Sequence, residues 1–330
     1  MAGADYPWLL ADIGGTNARF GLVHADGAAL VDVVSFTCGD HESPQAAAGL
    51  YLEQLTRRDG KAVRPQSVAL ALATPIDGDT VKMTNSAWIV SRAELANALG
   101  ARRVLLLNDF EALALALPQL GDEQTWWLGA ARANRRWPMA VIGPGTGLGV
   151  SSCVLLNGGW IALPAEGGHV TAAAADDFEG EVLRVLRAEL GHVSAEHLLS
   201  GIGLPRLYRA VCTVRGAPCQ PLDAEAITRA ARERNDADCL AALDTFCAML
   251  GTFAGNVALT VGARGGVFVA GGIVPKLGEF FFASRFRERF EAKGRFAAYM
   301  ARIATGLITA PHAALTGAAH ALAQAGAKSD

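Results

Sequence analysis

The residues of this chain that could do chemistry stand at the ends of apolar runs. In Leu9–Val23, LLADIGGTNARFGLV, a lone carboxylate, Asp12, precedes the turn Gly14-Gly15-Thr16-Asn17. A second glycine turn, Gly145-Thr146-Gly147, lies within VIGPGTGLGVSSCV at 141–154. Three polar islands complete the set: Asn108-Asp109, Glu166-Gly-Gly-His169 and Ser194-Ala-Glu196. Glycine turns let backbone N–H groups approach an anion, and Thr16 adds a hydroxyl, so the first turn is a phosphate cradle on one reading. A carboxylate repels phosphate. Asp12 has no cationic partner in its own turn, so on that reading it acts through a metal or water. The acidic islands suit a polyhydroxyl partner, because carboxylates accept hydrogen bonds from hydroxyl groups.

Each group also has a plain structural account. Gly14 and Gly15 can serve only to supply positive φ, which leaves Asp12 an incidental polar residue at a strand end. Asp109 can cap the helix that follows it. Glu166 and His169 can be residues of a glycine turn, and Glu196 can be an acid favoured by a helix dipole. The local sequence leaves both accounts open.

The elements that must position these groups alternate between strand and helix. Leu9–Ile13 and Arg19–Val23 form a predicted hairpin, followed by a strand at 30–36, a helix at 44–57 and strands at Ser67–Leu72 and 79–82. Ser91-Arg-Ala-Glu94 is a capping box opening a helix that stops at Gly100. Arg103–Leu107 is an apolar strand, and Phe110–Leu117 is a helix ended by Pro118. In the second half, strands at 139–142 and 150–156 flank the glycine turn at 143–149, and helices dominate 178–263. Val267–Ala270 is a buried strand opening into Gly271-Gly272, and a small-residue helix follows Pro311. This alternation in both halves argues for α/β domains. The two hairpins share the form strand, glycine-threonine turn, strand. Their positions, one in each half, point to an internal duplication that sets two anion-binding turns to hold a polyphosphate from both sides.

Composition bounds the function. A chain of 330 residues suggests two domains, and 51% hydrophobic residues suffice for sizeable cores. A formal charge of −3 gives no electrostatic footprint for nucleic acid. Six cysteines are scattered without C-x-x-C pairs or a signal peptide, which points to reduced structural thiols in a cytosolic protein and offers no zinc site. Thr245–Ala263 is uncharged and long enough to span a membrane, and Gly251 and Gly255 have helix-packing spacing. It also carries Asn256 and three threonines, and a Gly-Gly strand follows at once, so a buried central helix is expected. No P-loop pattern occurs. The second glycine turn precedes a strand rather than a helix, which excludes a dinucleotide-binding fingerprint.

Five blocks in order over nearly the whole chain resemble bacterial glucokinases of the non-ROK type, within the sugar-kinase, Hsp70 and actin superfamily. They are DIGGTNARF, LNDFEALALALP, GPGTGLGV, PAEGGHV with GHVSAEHLLSG, and GGVFVAGGIVPKLGEFF. The resemblance implies a two-domain α/β protein of the actin-like ATPase (ribonuclease H-like) fold with a central cleft. Its small domain would comprise 1–118 and 311–330, and its large domain 119–310. It implies ATP-dependent phosphorylation of the glucose 6-hydroxyl, with ATP and Mg²⁺ required. Asp12 would position Mg²⁺ through water, and Gly14, Gly15, Thr16 and Asn17 would form the first phosphate loop. Gly145, Thr146 and Gly147 would form the second, and Gly271 and Gly272 would border the adenosine. Asn108, Asp109, Glu166, His169 and Glu196 match the sugar ligands, and Asp109 matches the catalytic base. A cytoplasmic homodimer, without a membrane or nucleic-acid partner, is implied as well, and no helix-turn-helix is expected ahead of the first strand. The chain departs from the family pattern at Ala165, where glycine is frequent, and Pro144 stiffens the second phosphate turn; neither change removes a functional group. A hexose or acetate kinase of other specificity and a non-catalytic sugar or nucleotide sensor are the competing expectations. The acidic trio with His169 favours a sugar over a carboxylate substrate.

Overall fold

The computed structural model describes residues 6–327. These divide into two compact units. One holds the described residues up to Leu120, with Leu156–Pro164 and the chain from Ala310 on; the other holds Gly121–Leu155 and Ala165–Thr309.

In the first unit, strands β1 (Trp8–Ile13), β2 (Asn17–Val23), β3 (Val31–Thr37), β4 (Ser67–Leu72) and β7 (Arg103–Asn108) form a sheet in the order β3-β2-β1-β4-β7. A small separate hairpin, β5 (Thr80–Lys82) with β6 (Ile89–Ser91), lies between β4 and β7 in the chain. Strands β1, β2 and β3 are antiparallel neighbours, whereas β4 and β7 run parallel to β1. Alternate residues of β1 face opposite sides of the sheet. Leu9, Ala11 and Ile13 join a core with Phe20, Tyr51 and Leu70. Trp8 and Leu10 face a second core made by α3 (Asp109–Ala116) and the last helix, Ala313–Ala327, through Leu115, Leu315 and Leu322. Asp12 shares the parity of Trp8 and Leu10 and so points to the α3 side. The register pairs Ile13 with Leu72 and Leu72 with Asn108. Asp12 and Asp109 therefore emerge at the same, carboxyl-terminal end of three parallel strands, where open α/β sheets bind ligands.

Local signals set the helices of this unit. Ser43 accepts a hydrogen bond from the Ala46 N–H at the start of α1 (Pro44–Asp59), which stops at a left-handed Gly60. Ser91 caps α2 (Arg92–Leu99) through the Glu94 N–H, and Gly100 ends it.

The second unit repeats the arrangement. A hairpin of β9 (Met139–Pro144) and β10 (Leu148–Leu156) is joined on the β9 side by a parallel strand, β12 (Gly266–Val269), then by β13 (Thr305–Ile308) and the antiparallel edge strand β8 (Thr125–Leu128). Strand β11 (Gly159–Ala165) follows β10 in the chain. In both units a glycine hairpin is thus extended by two parallel strands, β4 and β7 in the first and β12 and β13 in the second. Helices α4 (Asp177–Leu190), α5 (Gly203–Arg215), α6 (Ala224–Arg232) and α7 (Ala237–Val261) build the core with the sheet.

The uncharged stretch lies in α7. Among the described residues it is the single helix long and apolar enough to cross a membrane, and 72% of its most apolar window is buried inside the protein. Its glycine spacing has a packing cause. A Cβ at Gly251 would sit 2.1 Å from the Phe286 carbonyl oxygen, and one at Gly255 would sit 2.7 Å from that of Phe290, so the helix Phe286–Glu291 docks directly on the α7 backbone. All six cysteines are free thiols; five are buried, while Cys219 is exposed and so is not a core thiol.

Candidate active site

The first unit places the carboxylates. Asp12 lies one residue before the end of β1 and opposite Arg19 of β2. The Arg19 guanidinium reaches the Asp12 carboxylate at 3.2 Å. No cationic partner lies in the turn itself, as expected; the hairpin supplies one from its return strand. The second Asp12 oxygen accepts no hydrogen bond from the described residues. Burial raises the Asp12 pKa, while Arg19 and His312 oppose the rise. In the turn itself the Gly14 N–H donates to the Asn17 carbonyl at 2.9 Å, and the Thr16 carbonyl accepts from the Cys38 N–H at 2.7 Å. The N–H groups of Gly15 and Thr16 have no partner among the described residues, and Thr16 and Asn17 are exposed. Two unpaired donors on an open turn fit an anion.

The cap of α3 is Asn108, not Asp109. The Asn108 side-chain oxygen accepts from the Phe110 and Glu111 N–H groups at 3.0 and 3.3 Å, and Glu111 returns the bond to the Asn108 N–H, completing a capping box. The Asn108 amide nitrogen donates to the Thr74 carbonyl at 3.2 Å. The Asn108 side chain also hydrogen-bonds the Asp109 carboxyl. Asp109, the first residue of the helix, is released from capping; one of its oxygens accepts from the Phe110 N–H at 3.0 Å. Burial, then the nearby charge of Asp12, pushes the Asp109 carboxyl up to about 7. A carboxylate tuned near neutrality is suited to accept a proton.

The second unit gathers its groups around Leu148. Gly145, Thr146 and Gly147 connect β9 to β10; the Gly145 N–H donates to the Gly147 carbonyl at 2.8 Å, and the Gly145 carbonyl accepts from the Gly201 N–H at 2.8 Å. The Thr146 and Gly147 N–H groups have no partner among the described residues. A carboxylate oxygen of Glu196 accepts from the Leu148 N–H at 2.9 Å. A Cβ at Gly147 would stand 2.4 Å from that same oxygen, so glycine is required for the approach. Glu196 does not start a helix, contrary to its plain structural account; α5 begins at Gly203. The Glu196 N–H donates to the Gly168 carbonyl and the Ala195 N–H to the Val170 carbonyl, both at 2.9 Å, which zips the two polar islands together. His169 then stands between two carboxylates, 3.8 Å from Glu166 and 3.9 Å from Glu196. Glu166 and His169 are 65% and 61% exposed, so both are open to a ligand. Gly271, with φ +83°, lies against the same hairpin: a Cβ there would be 2.4 Å from the Pro144 carbonyl oxygen, while Gly272 faces open space.

No group of three or more potential metal ligands occurs among the described residues. This donor set still fits Mg²⁺, a hard cation that keeps several waters and needs only one or two carboxylates beside phosphate oxygens. Arg19, Thr74, Leu148 and His312 contact or act on these candidate residues and are not singled out by the sequence. The Arg19 pairing could have been read from the hairpin register. His312, whose charge acts on Asp12 from the start of the last helix with φ +57°, carries no local sequence signal.

Solved structures define the class. The crystal structure of a glucokinase from an Antarctic psychrotroph matches with a TM-score of 0.88 and 37% identity, covering 96% of this chain and 99% of that one. A glucokinase from Balamuthia mandrillaris, solved with glucose, shares the fold with a TM-score of 0.75 at 20% identity, over 96% of this chain and 93% of that one. The protein is a sugar kinase of the actin-like, two-domain ATPase fold. A family model described as Glucokinase matches residues 9–325, and the glucokinase of Aromatoleum aromaticum is 46% identical over 317 residues, 96% of this chain and 95% of that protein. The chain belongs to the glucokinase family.

Proposed function

We infer that this chain transfers the γ-phosphoryl group of ATP to the 6-hydroxyl of glucose, giving glucose 6-phosphate and ADP. The observation that carries the reading is Asp109: a carboxyl freed from helix capping by Asn108, lifted to about 7, and set at the same sheet end as Asp12. Asp109 takes the 6-hydroxyl proton as the new O–P bond forms and the bond to the β-phosphate oxygen breaks. The unpaired N–H groups of Gly15, Thr16, Thr146 and Gly147 donate to phosphate oxygens, with Gly14, Asn17 and Gly145 shaping the two turns. Glu166, His169, the open oxygen of Glu196 and the Asn108 side chain hold the ring hydroxyls, and Gly271 and Gly272 border the adenosine. Asp12 holds Mg²⁺ through water, with its second oxygen open and the first tied to Arg19. When bound, Mg²⁺ neutralises charge on the phosphate oxygens.

A coupled ADP-release assay over a panel of hexoses tests the reading. Glucose should give the highest kcat/KM, with turnover dependent on Mg²⁺ and ATP. Turnover confined to another hexose would assign a different sugar kinase. Binding of glucose and ATP without ADP release would make the chain a sensor.

A further inference from the structure

A cavity of about 220 Å³ in the second unit is walled by the Glu166–His169 and Ser194–Glu196 islands and by α7. Its lining is almost wholly apolar. Protein interiors hold few voids larger than a water molecule, so a space of this size departs from the rest of the core. Its position matters more than its size. Ala165 and Gly167, which flank Glu166, line it, and so do Val170, next after His169, and Ala195, next before Glu196. Each of these three candidate sugar ligands thus lies one residue from the cavity wall. Helix α7 contributes Met249, Thr252 and Phe253. Thr252 is 6% exposed, and its hydroxyl has no partner among the described residues. Threonine in a helix divides between two χ1 rotamers, which exchange hydroxyl and methyl, so this side chain can offer the cavity a hydroxyl, donor and acceptor at once.

We propose that this cavity binds a small uncharged ring molecule carrying one hydrogen-bonding group, and that its occupant raises glucose affinity. The effect on glucose rests on the reading of Glu166, His169 and Glu196 as sugar ligands. An apolar cavity of about 150 Å³ takes up benzene, so this one has room for a bicyclic ring. The lining sets the class of ligand. Apolar contact holds the ring, a charged group would lose its water without gaining a partner, and the Thr252 hydroxyl pairs with one polar atom. The route to the sugar is the shared wall. The two islands are joined where the Ala195 N–H meets the Val170 carbonyl at 2.9 Å, and both residues line the cavity. An occupant touches both islands only while they are joined, so it shifts the population toward that arrangement. Glucose, held by the same islands, favours it as well, and the two affinities rise together.

The test uses indole, and indene as the same ring system without the N–H, in equilibrium binding and steady-state rates on wild type, Thr252→Val and Ala173→Trp. Ala173 lines the cavity and is exposed, so a large side chain there fills the space from its rim. Indole should bind wild type with a Kd of about 1 mM or tighter. Saturating indole should tighten glucose about fivefold, glucose should tighten indole by the same factor, and the ATP KM should stay within about twofold. Thr252→Val should weaken indole about fivefold and leave indene within about twofold. Ala173→Trp should abolish both the binding of indole and its effect on glucose. Melting temperatures close to wild type mark the variants as folded; if Ala173→Trp melts early, Ala173→Phe takes its place and is read in the same way. A wild type that binds no indole, or an Ala173→Trp variant that binds it undiminished, overturns the site. Equal weakening of indole and indene by Thr252→Val overturns the pairing with the hydroxyl. Indole bound without any change in glucose affinity overturns the coupling. A wild type that binds indole, loses it in Ala173→Trp and binds no glucose would overturn the sugar reading and leave the site standing.

Discussion

In the β1–β2 hairpin the carboxylate of Asp12 sits on the strand itself, half-buried, with its counter-charge across the ladder at Arg19. The β9–β10 hairpin carries no charged residue from Met139 to Cys153 and takes its carboxylate from Glu196, through the Leu148 N–H. Two turns of one form thus obtain charge by different routes. The first builds it into a dry strand end, where burial raises both Asp12 and Asp109. Low dielectric makes such charges costly and strongly responsive to protons and metals. The second keeps its turn neutral and leans on a carboxylate beside the exposed Glu166 and His169, a setting for hydrogen bonding to hydroxyls. On the proposed reading, the proton-accepting carboxylate belongs to the first setting, and Glu166, His169 and Glu196 of the second serve recognition.

The sharpest way to break that division is Asp109→Asn. Loss of the base should lower kcat by about 10²–10⁴-fold, or about 2.7–5.5 kcal/mol of barrier, with glucose affinity largely kept. In wild type, kcat/KM should rise with pH through about 7, the value to which burial and Asp12 push Asp109, and the variant should lose that limb. Near-normal turnover would move the chemistry elsewhere.

The same substitution makes a stability prediction with a defined sign. The Asp109 carboxyl binds its proton more tightly folded, at about 7, than unfolded, near 3.9. Its contribution to folding is therefore full below about pH 4 and is lost as pH rises toward 7. Asparagine carries no charge to desolvate, so Asp109→Asn should melt higher than wild type at pH 8, and the difference should shrink at pH 5. Thermal scans at both pH values decide; a variant less stable at pH 8 would show that the carboxylate is well solvated.

On the second half-site, Gly147→Ala should push the Glu196 carboxylate off the Leu148 N–H, since the new methyl stands 2.4 Å from its oxygen. Losing a hydrogen bond to a charged group costs about 1.5–3 kcal/mol, so glucose kcat/KM should fall roughly 10- to 100-fold, mainly through KM. Glu196→Gln keeps an acceptor for Leu148 and should lose less. If both variants lowered kcat with unchanged KM, the recognition half would share in the chemistry. The smallest effect is expected at the α3 cap: Asn108→Ala should cost about 1 kcal/mol of stability, read as a drop in melting temperature of a few degrees at most, whereas Asp109→Asn should leave the cap intact.

The sequence carried much of this. The glycine hairpins and strand ends were legible because apolar runs stop abruptly at glycine or asparagine, and the strand at Ser67–Leu72 lies where its composition put it. Adjacent cap formers defeated local reading at Asn108-Asp109, because both residues suit the position and Thr74, far away in the chain, settles which one is held. Strands Thr125–Leu128 and Thr305–Ile308 were not foreseen: four residues give no period, and their extended form comes from pairing with each other and with β12. The helix-start account of Glu196 fails because the chain closes there into the turn that Ser200 braces.

Leu148 has a consequence beyond packing. Its N–H answers to Glu196, and a Cβ at Gly168 would stand 2.1 Å from its carbonyl oxygen, so Leu148 is clasped by both polar islands at the root of the second glycine turn. If, as proposed, sugar binds the islands and phosphate the turn, the two ligands share a linkage free energy through this lever, and linkage is reciprocal. Whatever factor glucose contributes to nucleotide affinity, nucleotide must return to glucose, and the two titrations, each with and without the other ligand, should close the same thermodynamic cycle. With Gly147→Ala the lever is cut, and the two affinities should become independent.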